Sequence, residues 1–211
     1  MFKHIYTFEK IFQFYIILSG ITPPIYRTIQ VSEGSTFWDL HVAIQDAFGW
    51  SDSHLHEFCA TTGYSEKGQS ERIGYPYEDG FEDEAPLVDW EVPLNTFFTQ
   101  VGDIIHYTYD FGDNWEHEIL LEGIFIRPHK GKFPKCIDGE RAAPPEDCGG
   151  IMGYSHLSKV LKNPEHEAYK DLCRWLRGTT GKRKLYDQEF FEISKVKFSD
   201  PKKKLEQMSI S

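Results

Sequence analysis

Ile104-Ile105-His106-Tyr107-Thr108-Tyr109 runs into Asp110-Phe111-Gly112-Asp113-Asn114, and Trp115-Glu116-His117-Glu118-Ile119-Leu120-Leu121-Glu122-Gly123-Ile124 follows. Two stretches rich in aromatic and β-branched residues thus flank five residues of turn chemistry, the pattern of a β-hairpin. Side chains two apart share a strand face, so Trp115, His117, Ile119 and Leu121 form one apolar side interrupted by a single imidazole. The fold expected around this hairpin is one α+β domain, with a mixed or antiparallel sheet packed by a helix and by a C-terminal helical pair.

Upstream, Ile11–Leu18 has Lys3 and Lys10 before it and superficially fits a secretory apolar segment. It is only about eight residues long, Gln13 interrupts it, and its aromatic and β-branched content suits a strand. No stretch reaches the roughly 18 apolar residues that cross a bilayer. A second strand is expected over Ile25–Val31. Thr36 and Asp39 then form a capping-box start for a helix whose apolar residues Phe37, Leu40, Ile44, Ala47 and Phe48 recur at helical spacing, with Gly49 as the stop. Ser53–Thr61 reads as a strand. Residues 62–86, rich in Gly, Ser, Glu and Asp, read as a long loop, disordered or serving as a lid.

Downstream of the hairpin, residues 127–153 read as irregular, with four prolines and five glycines. Leu157, Val160 and Leu161 mark a helix. Asn163-Pro164 ends it and caps the next, whose stripe is Tyr169, Leu172, Cys173 and Leu176 and whose stop is Gly178. The expected division is a domain over 1–178 and a basic C-terminal extension over 179–211.

The formal charge is −10, unevenly spread. Residues 1–173 carry 13 Lys and Arg against 28 Asp and Glu, while residues 174–211 carry 10 against 5. An acidic body repels phosphate backbones, which makes nucleic acid an unlikely partner for it. The basic tail is expected to be solvated or to touch an acidic partner. Cys59, Cys136, Cys148 and Cys173 follow no disulfide spacing and read as reduced thiols, which suits the cytoplasm.

His54-Leu55-His56 on a strand would place two imidazoles side by side, the start of a divalent-metal site such as zinc, or else a hydrogen-bonded pair. His117 is either a satisfied core residue or a third ligand, with Asp110 and Asp113 in the adjoining turn to orient it. His41 lies on its helix's apolar stripe beside Phe37 and Ile44. The Cys136–Gly150 segment is polar and proline-stiffened. Its cysteines and acids are potential metal ligands, or Arg141 pairs with the acids and pins the loop. Asp110-Phe111-Gly112 carries no kinase meaning without a glycine-rich loop and a catalytic loop, and no Walker A, dinucleotide, HExxH or nucleophile-elbow motif occurs.

Pro23-Pro24-Ile25-Tyr26-Arg27, Trp38-Asp39-Leu40-His41 through Gly49-Trp50, His54-Leu55-His56-Glu57-Phe58, Tyr107 through His117, and Gly139-Glu140-Arg141 through Gly149-Gly150 occur in one order. In this series the chain resembles the plasmid pRiA4b ORF-3-like family over roughly residues 10–178. The resemblance implies an α+β fold and brings no established activity. Some members carry a transposon-resolvase label, which the acidic body and the lack of a helix-turn-helix do not support. Tyr26 stands where similar proteins often have Trp, and Ala143 where they often have Cys, which weakens any cysteine-based site.

The expected site gathers His54, His56 and His117 as metal ligands, with His41, Asp110, Asp113, Trp115, Glu140 and Arg141 binding a ligand near the hairpin turn. Three functions fit: a ligand-binding or interaction module, a divalent-metal-dependent hydrolase, and a mobile-element protein that meets nucleic acid through its tail.

Overall fold

A computed structural model describes residues 9–61, 70–76, 85–180 and 186–208. Its strands are β1 (Lys10–Leu18), β2 (Ile25–Ser32), β3 (His56–Thr61), β4 (Ser70–Gly74), β5 (Leu87–Val88), β6 (Ile104–Tyr109), β7 (Trp115–Ile126) and β8 (Lys135–Glu140). They form one sheet in the order β5-β4-β3-β6-β7-β1-β2-β8. Every pairing is antiparallel except that of β4 with β5, so the sheet is mixed. The helices are α1 (Phe37–Phe48), α2 (Gly150–Leu161), α3 (Tyr169–Thr180) and α4 (Pro201–Met208). The molecule is a single α+β domain, as the sequence implied.

The hairpin is β6 and β7, in register from Ile104↔Leu120 to Tyr109↔Trp115. On the covered face Phe14, Phe58, Tyr107, Trp115, Ile119 and Leu121 are buried together with Phe37, Leu40 and Ile44 of α1. Phe37 meets Phe58 edge-on at 5.0 Å, and Phe58 lies 4.7 Å from Tyr107, separations at which aromatic pairs add to burial. The reciprocal Thr36–Asp39 capping box begins α1 and left-handed Gly49 ends it. Nearly all of α1 is buried, because the chain after residue 186 covers the side turned away from the sheet. Trp38 Nε1 donates to the Pro201 carbonyl at 2.9 Å, and Asp46 accepts from the Ser199 amide and hydroxyl.

Several elements depart from the sequence reading. β3 begins at His56, not Ser53, because Asp52 adopts φ 63° and the Ser53 amide donates to the Tyr109 hydroxyl rather than entering the ladder. Residues 127–153 contain β8, whose polar composition hides it, since an edge strand with one neighbour needs little apolar surface. Asn163-Pro164 opens a turn instead of a helix. The Asn163 side chain accepts from Glu165 N, and its carbonyl accepts from His166 N. Proline suits the second position of such a turn as well as a first helical turn. α3 starts at Tyr169 and runs past Gly178 to Thr180. Within the 62–86 stretch, β4 is ordinary sheet, while residues 62–69 and 77–84 lie outside the described residues.

Candidate functional site

His54 sits just before β3, Asp110 opens the hairpin turn and Asp147 lies in the loop before α2. Their chemistry meets. His54 Nε2 is 3.2 Å from Asp147 Oδ1 and 3.6 Å from Asp110 Oδ2. One donor atom from each lies within 4.8 Å of the others, a spacing that a single cation can bridge. Asp110 Oδ1 is occupied by the amides of Gly112 and Asp113, which leaves Oδ2 to face His54. The Asp110 amide donates to the Leu55 carbonyl, fixing the turn against the chain that carries His54. Asp110 and Asp147 both hold left-handed φ of 57°, a conformation that aspartate tolerates better than most side chains. The His54 side chain is 30% exposed and that of Asp147 67% exposed, so solvent reaches the cluster.

Asp113 does not join this set. Its Oδ2 accepts from Gly149 N and ties the hairpin turn to the start of α2. Gly150, at φ +63°, lies so near the Asp113 carbonyl that a Cβ there would collide with it. The two loops are thereby locked in contact around the cluster.

The two remaining predicted metal histidines lie in the core. His56 does not stand beside His54. Its Nε2 meets Asp89 Oδ2 at 2.8 Å, with Asp89 fully buried, and its ring stacks on His41 at 3.4 Å with 10° between planes. His41 Nε2 meets Asp52 Oδ1 at 2.7 Å and Nδ1 meets the Tyr107 hydroxyl at 2.9 Å. A carboxylate only accepts, so His41 carries its proton on Nε2 and Nδ1 accepts from Tyr107. Gln45 Nε2 donates to the same hydroxyl. Burial, aided by the neighbouring His56, lowers His41 to about 4 against the pull of Asp52. Burial also raises Asp52, but the hydrogen bond and charge of His41, then Lys204, outweigh it and leave the carboxyl below its ordinary range.

His117 is also fully buried and pushed down to about 3 by desolvation. Its Nδ1 donates to the Trp115 carbonyl at 3.0 Å, and Phe48, Trp50 and Tyr107 surround the ring. The strand alternation pointed it inward as expected, and the inside is apolar. Trp115 is fully buried and contributes to the core rather than to a surface site.

Glu140 and Arg141 have other business. Glu140 is exposed at the end of β8, and its carbonyl accepts from Arg27. Arg141 pairs with Glu189 from the chain's last segment and donates to the Pro23 carbonyl, so it pins its loop through distant partners rather than through the acids beside it. Neither Cys136 nor Cys148 belongs to the cation cluster. Burial, with Asp113 nearby, pushes the Cys148 thiol up to about 12, which keeps it protonated at neutral pH.

Sequence reasoning counted Glu146 and Asp147 only among the acids of a segment that could hold a metal, and it gave Arg27 no role. Glu146 accepts from the Ser51 amide and hydroxyl and from the Tyr109 hydroxyl, holding the 144–147 loop over the start of β3. Arg27 is 1% exposed, and its guanidinium donates to the carbonyls of Tyr26, Ala47, Glu140 and Arg141. The Phe191 ring stacks on it at 3.7 Å. Desolvation lowers it to about 10, which leaves it charged. A cleft of about 440 Å³ opens between the end of α1, the 142–146 loop and the 186–196 segment, with Arg27, Trp50 and Phe191 in its lining.

The uncharacterized protein y4hQ of Sinorhizobium fredii is 30% identical over 162 residues, 76% of this chain and 77% of that protein. A crystal structure of a protein of unknown function from Methanosarcina mazei Go1 shares the fold with a TM-score of 0.77 and 40% identity. It covers 91% of this chain and 100% of that one. The family model described as plasmid pRiA4b ORF-3-like protein matches residues 10–195, so the chain belongs to that family.

Proposed function

We propose that this protein is a ligand-binding module whose site holds a divalent cation between His54, Asp110 and Asp147. The observation that carries this reading is the convergence of one imidazole and two carboxylates from three separated segments. Imidazole suits zinc and carboxylates suit manganese, so this donor set of one nitrogen and two oxygens points to those two metals as the ones to test. Three protein ligands on a solvent-reached rim leave coordination positions for a bound anion or water.

The test uses the full chain, purified without a histidine tag or chelator, titrated with manganese and with zinc by calorimetry. One cation per chain is expected, with affinity reduced by at least about 10- to 100-fold in both His54→Ala and Asp147→Asn, since loss of a group that merely orients a ligand already costs that much. Binding that survives both substitutions would remove the proposal. The open coordination positions also favour a second reading, a metal-dependent hydrolase in which the cation activates water. It requires ester or phosphodiester turnover by the metal-loaded protein that His54→Ala abolishes.

A further inference from the structure

The opposite end of the sheet has a chemistry of its own. We propose that the cleft formed there by the β7–β8 connection and the facing ends of β1 and β2 binds a small phosphate ester with a planar body, of the size of a nucleoside triphosphate. The cleft is about 560 Å³ and is lined by Phe125, Ile126, Phe133, Lys130, Lys132 and Lys135, with Ile11 and Gln30 behind them. β1 pairs with β7 from Lys10↔Ile126 to Leu18↔His117. The cleft therefore lies a full strand, roughly 25 Å, from the hairpin turn and its cation cluster.

Charge identifies the ligand as an anion. Residues 127–135 contain four Lys or Arg and no Asp or Glu, in a chain whose net charge is −10. Arg127 is committed to Glu9 at 2.9 Å. Lys130, Lys132 and Lys135 are exposed, and none forms an ion pair among the described residues. Lysine ammonium groups are compact point charges that suit phosphate oxygens.

The apolar part of the ligand is indicated by the side chains between those lysines. β7 alternates buried and exposed residues until its end, where Phe125 and Ile126 stay 48% and 65% exposed. Phe133 closes the other wall, half-buried, with the Arg127 guanidinium 5.6 Å from its ring. An aromatic face beside free ammonium groups is the combination that stacks a base and holds its phosphates.

Size and surroundings select a small ligand over a polymer. The volume lies in the range of about 300–1,000 Å³ typical of small-molecule sites. Glu9 and Glu33 border the cleft through their pairs with Arg127 and Lys10, and Glu122 through Gln13, which is bonded to Gln30. A long polyanion would leave the basic patch onto these carboxylates, whereas a triphosphate fits within it.

The experiment is fluorescence anisotropy of a fluorescent ATP analogue on the full-length protein at low salt, with competition by ATP, by inorganic phosphate and by a single-stranded oligonucleotide. ATP should compete at least about tenfold better than phosphate. Lys130→Glu/Lys132→Glu should weaken binding at least about tenfold while leaving the melting temperature unchanged, since surface charges seldom matter to stability. Phe125→Ala should weaken ATP but not phosphate. Absence of saturable ATP binding, or binding indifferent to the lysine pair, would overturn the proposal. Lysine-dependent binding that favours the oligonucleotide over ATP would overturn it in favour of nucleic acid.

Discussion

Histidines 54 and 56, two residues apart, have opposite jobs. His56 caps the buried carboxylate of Asp89, whose other oxygen has no partner among the described residues. His56→Ala would leave the buried Asp89 side chain without its donor among the described residues, and removing one partner of such a buried pair costs about 3–5 kcal/mol. His54→Ala removes a partly exposed ring and should change stability by no more than about 0.5 kcal/mol. Urea denaturation of the two variants checks the contrast, and equal losses would contradict it. The sequence offered both histidines as a same-face pair, an argument valid only inside a strand. Ser51-Asp52-Ser53 immediately before them is turn chemistry, and Asp52 at φ 63° swings the chain before β3 begins. That local signal was readable. The partnership of His56 with Asp89 was not, because 33 residues separate them and no pattern links them.

Elements that carry their own start and stop signals were legible. The Thr36–Asp39 box, Gly49 and the Asp110–Asn114 turn each act within a few residues of themselves, and α1, β6 and β7 formed where expected. β8 and the segment after residue 186 depend on distant partners instead. The latter lays Phe191 on Arg27, Glu189 on Arg141, Pro201 on Trp38 and Lys204 beside Asp52. Removing residues 186–211 should therefore destabilise the protein by roughly 3 kcal/mol or more. A desolvated cation–π contact is worth about 2 kcal/mol and each lost hydrogen bond about 1 kcal/mol. Thermal and urea unfolding of the truncated chain measure it. Unchanged stability would mean that the segment is a solvated extension after all.

At the scale of the whole molecule, the core is aromatic and apolar but encloses titratable groups, and these set how stability responds to pH. His41 and His117 are held to about 4 and about 3 by burial, while in the unfolded chain each has a value near 6.5. Below about pH 6.5 the unfolded state therefore binds more protons than the folded state, and stability falls with pH. The His41 contribution is complete above about 6.5 and lost as pH drops to about 4, and that of His117 continues down to about 3. Two protons of difference give a slope of up to roughly 2.7 kcal/mol per pH unit within the shared window. An opposite trend comes from the net charge of −10, which shrinks toward the sequence pI of about 5.4 and relieves self-repulsion. Much of that repulsion is already screened at physiological salt, where the Debye length is about 8 Å, whereas the buried imidazoles are not screened. The histidine effect should win, with stability flat from about pH 7 upward and falling steeply from 6 to 4. In His117→Asn the amide can still donate to the Trp115 carbonyl, but the titrating ring is gone. That variant should start less stable at pH 7.5 and show about half the slope between pH 6 and 4. Urea titrations across this range decide it: an undiminished slope would move the pH response away from the buried histidines and onto the acidic surface.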